Sequence, residues 1–268
     1  MATRTVLLVL AHEEPTSFNR ALHDTAVTTL KQKGFKVLIS DLYQQKFRPT
    51  ISRSDIKGKL QDPEHFNYVK EIGNAYLSNA LSDDVIAEMD KIKAADLIIF
   101  QFPMHWLSVP AILKGWFDRV LITEFAFKFP QMLDNGLLKG KKAMLSLTTG
   151  SPGGLFSPFG MFGDLNAVLW PIQYGTLRFC GFDVLKPQCS FSPGYADDTQ
   201  RKSLLEAWKT RLLKVQTEKP IEFPSITNFD PKQWFVMSEE FKKEQENNEY
   251  GLSVAHHMGK KVRIEADK

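Results

Sequence analysis

Three short stretches combine residue types that could hold or act on a small ligand. In "AHEEPTSFNRAL", Thr16, Ser17 and Asn19 stand at the start of a helical pattern. Such residues cap helices. The same place also offers unpaired N–H groups and the positive end of a helix dipole to an anion such as phosphate. In "FPMHWLSVP", a thioether (Met104) and an indole (Trp106) lie between Pro103 and Pro110. The prolines stiffen the backbone and leave neighbouring amides to point at a planar ring. In "TTGSPGGLF", Thr148, Thr149 and Gly150 are small enough for backbone N–H groups to approach a ligand edge. Between Thr148 and Gly163 there is no acid, no base and no nucleophile beyond serine and threonine, yet Phe156, Phe159 and Phe162 are there. Neither GxGxxG nor GxxxxGK[ST] occurs, which excludes the nicotinamide-type Rossmann fingerprint and the P-loop.

These loops need elements to hold them. Residues 5–11, "TVLLVLA", form a continuous apolar run that reads as a first strand. "RALHDTAVTTLKQKG" has apolar residues at helical spacing and stops at Gly34. "FKVLISDL", residues 95–102 ("ADLIIFQF"), "KKAMLSLTT" and "GFDVLKPQCSF" supply four more strands. In "PAILKGWFDRVL", Ile112, Leu113, Trp116, Phe117, Val120 and Leu121 make one helical face, with Pro110 suited to the first turn. Strands apolar on both faces, alternating with helices, imply a parallel sheet covered on both sides. The expected fold is therefore α/β: a flavodoxin-like, doubly wound, parallel five-stranded sheet. Such sheets bind ligands beyond the carboxyl ends of their strands, which picks out loops 11–19, 102–109 and 148–163. Residues 44–81 read as an excursion with short helices. After Lys219 the texture turns proline-rich and irregular, giving a main domain over 1–220 and a small C-terminal extension over 221–268.

The 268 residues, 43% of them hydrophobic, suffice for one sizeable core. A net charge of +3 with 24% charged residues excludes nucleic acid or an anionic membrane as a main partner. Cys180 and Cys189, the two cysteines, read as packed thiols in a reduced, cytoplasmic protein. The N-terminal apolar run is too short to span a bilayer and lacks the small-residue cleavage site of a signal peptide. His23 and His65 read as surface residues. His256 and His257 are adjacent, so their side chains diverge, and no metal is expected.

"VLAHEEPTSFN", "FQFPMHWLSVPAILKGWFDRV", "LSLTTG", "LWPIQYGTLRFCGF" and "YGLSVAHHMGK" resemble the NAD(P)H:quinone oxidoreductases, or DT-diaphorases, over almost the whole chain. The C-terminal segment resembles the longer, nicotinamide-using branch; "EFAFKFP" and "DNGLLKGKKA" resemble the shorter branch. The resemblance implies a homodimeric FAD enzyme that reduces quinones by two electrons, with residues 1–220 as its FAD-binding catalytic domain. Hydride enters the flavin from NADH, NADPH or a smaller dihydronicotinamide and passes to the quinone in a ping-pong cycle. It implies that His12, Ser17, Phe18 and Asn19 hold the FAD pyrophosphate, with Asn67 where the family usually has glutamine. Pro103, Met104, His105, Trp106, Leu107, Thr148, Thr149, Gly150 and Ser151 would line the isoalloxazine, and Arg201 would reach the adenine end. Ala126, Phe127, Lys128, Phe129 and Phe179 fall where the family forms its substrate pocket. The shorter branch's metal-binding histidines are replaced by Tyr174 and Arg178.

The phenylalanines of the third loop are departures. Phe156 stands where the nicotinamide-using branch has tyrosine, and Phe162 where it has histidine. Those two positions are credited with managing charge and proton at the flavin. Two pocket tyrosines are Phe127 and Phe129 here, and the usual second glycine is Ser151, followed by Pro152, which has no N–H. Backbone amides near Gly150 remain as donors. Two functions are therefore expected to compete: an efficient quinone reductase, and a flavoprotein of the same fold that keeps FAD and an aromatic pocket but turns over weakly.

Overall fold

The computed structural model describes residues 4–244. Expectations that fall on later residues, including His256, His257 and "YGLSVAHHMGK", lie outside them. The central sheet is parallel, with strands β1 (Thr5–Leu10), β2 (Lys36–Asp41), β3 (Leu97–Pro103) and β4 (Lys142–Thr149). A fifth position is filled by β5 (Asp183–Val184) and β6 (Gln188–Phe191), which both pair with β4. The order is β2-β1-β3-β4-β5. The strand expected as one run over "GFDVLKPQCSF" is thus broken, because Pro187 has no N–H to continue the ladder.

Helices cover both faces. α1 (Phe18–Gln32) and α6 (Asp198–Leu212) pack Leu22, Ala26, Leu30, Trp208 and Leu212 on Val6, Leu8, Ile99 and Met144. α2 (Tyr68–Leu77), α3 (Asp83–Ala94), α4 (Ala111–Val120) and α5 (Leu165–Ile172) cover the opposite face, over Leu7, Val9, Ile98, Phe100 and Leu145. α1 ends where expected: Gly34 takes φ +86°, the left-handed conformation that glycine adopts without a Cβ penalty. Pro110 lies one residue outside α4 as its N-cap rather than within its first turn.

The 44–81 excursion contains a 3-10 turn and α2, and it is fastened to α4. Arg119 is fully buried and bonds Asp55, Asp84 and the Arg48 carbonyl, while its guanidinium lies over the Phe47 ring. Past α6, Ile221 donates its N–H to the Val184 carbonyl at 2.7 Å. A short hairpin, β7 (Phe229–Asp230) with β8 (Val236–Met237), and α7 (Glu239–Glu244) follow.

One surface expectation fails. His23 is 2% exposed, because α1 turns it toward the sheet between Asn19 and Ala26, the same face of the helix. His65 is exposed, as expected.

Candidate functional site

The three loops meet at the carboxyl edge of the sheet and are tied by named bonds. Asn19, in the first turn of α1, donates from Nδ2 to the Thr148 hydroxyl at 2.9 Å and accepts at Oδ1 from Gln101 Nε2 at 2.8 Å. Met104 N–H donates to the Thr148 carbonyl at 2.8 Å. One buried asparagine therefore joins the loop after β1, strand β3 and the end of β4. Gln101 was not expected from the sequence. A single polar residue inside the apolar run "LIIFQF" is the available signal, since a buried polar group needs a partner.

Within the first loop, both local readings are visible. Ser17 caps α1 by accepting from Arg20 N–H at 3.2 Å. Glu14 accepts from the N–H and hydroxyl of Thr16, which hold its carboxyl below the usual range, and the N–H of Glu14 donates to His12 Nδ1. Phe18 and Asn19, as the first residues of α1, have N–H groups with no intrahelical acceptor, so this end of the helix can receive an anion.

In the loop after β3, His105 and Ser108 exchange two backbone bonds of 3.0 Å, and the residues between them, Trp106 and Leu107, take φ 48° and 57°. Left-handed backbone at two non-glycine residues is costly and marks a functional position. Its result is an indole that is 100% exposed, two residues after the Met104 that bonds Thr148. Pro103 aligns with Thr148 in the ladder.

In the loop after β4, the Thr149 hydroxyl donates to the Ser151 carbonyl at 2.7 Å, and Ser192 N–H donates to the Thr149 carbonyl. Gly150 is exposed. Arg201 joins this edge from α6: its Nε donates to the Pro193 carbonyl at 3.0 Å, one residue beyond Ser192. The phenylalanines form a packed set. Phe156 lies 5.2 Å from Phe162 and 5.8 Å from Phe191. Phe162 N–H bonds the Leu155 carbonyl, and a Cβ on Gly160 would sit 2.3 Å from that oxygen, so only glycine permits the fold-back.

The expected substrate residues gather elsewhere. Phe127 and Phe179, with ring centroids 5.5 Å apart, line a cavity of about 330 Å³ together with Tyr68, Ile72, Phe117 and Thr123. Burial and the nearby Asp55 carboxylate push the Tyr68 phenol up; its hydroxyl donates to that carboxylate at 3.0 Å. Phe129 is exposed and meets Phe235 of the β7–β8 hairpin edge to face at 5.6 Å. Lys128 pairs with Glu124. Ala126 is fully buried in the core. Asn67 caps α2 by accepting from Lys70 N–H; among the described residues no bond joins it to the three loops.

At the positions compared with metal ligands, Tyr174 stacks on Trp170 at 4.4 Å and Arg178 pairs with Asp134. Burial raises both thiols, Cys180 and Cys189, to about 12, so neither is a ready nucleophile.

The edge thus offers an anion seat, a bare aromatic platform and a row of small residues: a site for a planar ligand with an anionic tail. Comparison with known proteins agrees. The family described as having a flavodoxin-like fold matches residues 4–212. The chain is 49% identical over 264 residues to NAD(P)H dehydrogenase [quinone] 1 of Rattus norvegicus, covering 98% of this chain and 96% of the relative. It is 49% identical over 221 residues to the ribosyldihydronicotinamide dehydrogenase [quinone] of Homo sapiens, covering 82% of this chain and 96% of that one. A Klebsiella pneumoniae crystal structure, of a protein proposed to be a quinone reductase, superposes with a TM-score of 0.85 at 32% identity, covering 89% of this chain and 95% of its own.

Proposed function

This chain belongs to the flavodoxin-like NAD(P)H dehydrogenase [quinone] family, and on that premise we propose that it binds FAD and uses NADH, NADPH or a smaller dihydronicotinamide to reduce quinones by two electrons. The observation that carries the reading is the Trp106 platform, held in a left-handed turn just after Met104, whose N–H bonds the Thr148 carbonyl. The residues fit the cofactor. The first turn of α1 would take the pyrophosphate. Trp106, Met104 and Leu107 would lie against the ring system, Thr148, Thr149 and Gly150 would meet its polar edge, and Arg201 would reach the adenine half. When bound, FAD supplies the two-electron transfer between donor and acceptor.

The chain's own part is to bind, orient and exclude water. Phe156, Phe162 and Phe191 would give the loop after the Thr149–Ser151 turn an apolar wall. Low polarity there strengthens every hydrogen bond aimed at charge that develops on the ligand. Phe127, Phe129 and Phe179 would receive the flat acceptor. Phe127 and Phe179 share a cavity whose lining does not include Phe156 or Phe162, which supports a two-fold dimer whose partner completes each site. Residues 221–268 would act as a C-terminal extension that shapes the nicotinamide side, a role supported by the length of the match to the rat relative. The protein would act in the cytoplasm.

The purified protein is expected to be yellow and to release FAD, not FMN, on heating. Its colour should bleach within seconds when NADH is added without oxygen, and a quinone should restore it. Bleaching over hours would favour the weakly reacting flavoprotein instead.

A further inference from the structure

The sheet face under α1 changes character along its length. Near the amino ends it is apolar, with Val6, Leu8, Ile99 and Met144. Toward the ligand edge the same face carries Gln101, Ser146, Thr148 and Ser190, all at most 6% exposed. The ladders align Gln101 with Ser146 and Thr148 with Ser190. Asn19 enters this row from α1. The bonds have a direction: Gln101 Nε2 donates to Asn19 Oδ1, and Asn19 Nδ2 donates to the Thr148 oxygen. Thr148 thus receives a hydrogen bond at its hydroxyl and keeps its own proton. Its neighbour Thr149 spends its proton within the loop, on the Ser151 carbonyl. Among the described residues nothing accepts the Thr148 proton, and Ser146 Oγ and Ser190 Oγ have no partner either.

We infer that Gln101 and Asn19 are positioning residues that orient the Thr148 hydroxyl as a hydrogen-bond donor to the flavin edge, in the role that Phe156 and Phe162 cannot fill. The inference rests on FAD being the ligand. A hydroxyl that accepts from an amide is a better donor, because linked hydrogen bonds polarise one another. A donor that binds the reduced, more negative flavin more tightly than the oxidised one raises the midpoint potential.

The test is the midpoint potential of bound FAD, measured by dye equilibration on the intact protein. Thr148→Val keeps the shape and removes the donor. It is expected to favour the oxidised flavin by about tenfold, a fall of about 30 mV for a two-electron couple. Thr148→Ser should restore most of the loss. Gln101→Met keeps Thr148 but releases the Asn19 amide, and is expected to move the potential in the same direction. A Thr148→Val protein with normal FAD content and an unchanged potential overturns the inference, as it would if the chain ran the other way and Thr148 donated inward. A shift in Thr148→Val with none in Gln101→Met overturns the orienting role. Failure of the underlying reading looks different: the wild-type protein would then carry no FAD. Should Thr148→Val fail to fold, Gln101→Met alone still decides, because an unchanged potential there overturns the chain.

Discussion

Phe156 is 6% exposed and packed between two other rings, so a hydroxyl placed there meets apolar walls on two sides. Phe156→Tyr alone is therefore expected to cost about 1–3 kcal/mol of stability, the price of an unpaired buried hydroxyl. With Phe162→His beside it the hydroxyl gains a partner. The double variant is expected to speed anaerobic flavin reduction by NADH about tenfold, and more than the two singles combined, because the groups act as a unit. Stopped-flow absorbance checks this after FAD content has been matched. Equal rates for the double variant and wild type would mean that the loop already supplies what the ring positions lack. His23 offers a second residue-scale outcome. Burial holds its imidazole below the usual range, with Asp24 pulling the other way. The unfolded chain thus takes up the proton first, so stability is full above about pH 6.5, falls as pH drops, and stops falling once the folded imidazole is also protonated. His23→Leu should flatten that slope in urea melts between about pH 7 and about pH 5.

The elements stand where sequence periodicity puts them, but their fastening is long-range. α4 shows why. Its apolar face was legible as a stripe at helical spacing. Nothing in that stripe reveals that a Cβ on Gly115 would lie 2.0 Å from the Pro49 carbonyl oxygen, or that Arg119 would reach back to Asp55 across sixty-four positions. Gly115→Ala is expected to destabilise by about 3 kcal/mol through overpacking against backbone. Arg119→Ala is expected to cost about 3 kcal/mol, because it takes one of two cations from the buried Asp55 carboxylate, which keeps Arg48 and the Tyr68 hydroxyl, and its bonds to Asp84 and the Arg48 carbonyl are lost as well. Chemical denaturation measures both. The site was legible to the same degree. Loop positions follow from the fold class, and so do Trp106 and Thr148. Asn19 was visible as a helix-start residue, while its use as a tie between three loops depends on Gln101, eighty-two positions away. The split of the fifth strand was signalled by Pro187 and read through.

For the whole molecule, the residues after 220 are fastened at several points. Phe223 packs on Trp170 and Tyr174, Asp134 accepts from Ser225 and from Ile226 N–H, and Phe235 meets Phe129. Deleting 229–268 leaves the first two fastenings in place. The shortened protein is expected to stay folded and yellow, to sediment as a dimer, and to need a higher NADPH concentration for half-maximal rate. A monomer, or an unchanged concentration, would count against the role proposed for this segment.

The broken fifth strand has a consequence for how copies of this chain can meet. A sheet that stops in the open presents a row of unused donors and acceptors to any passing strand. Here that margin is two residues, a gap at Pro187, and four residues more, and the Val184 carbonyl is already capped by the N–H of Ile221. Among the described residues no continuous ladder is left on this side for a neighbour to zip onto. Molecules crowded at high concentration are steered away from stacking into ribbons through this margin, and association falls to the helices and aromatic loops, where shape rather than backbone decides the fit.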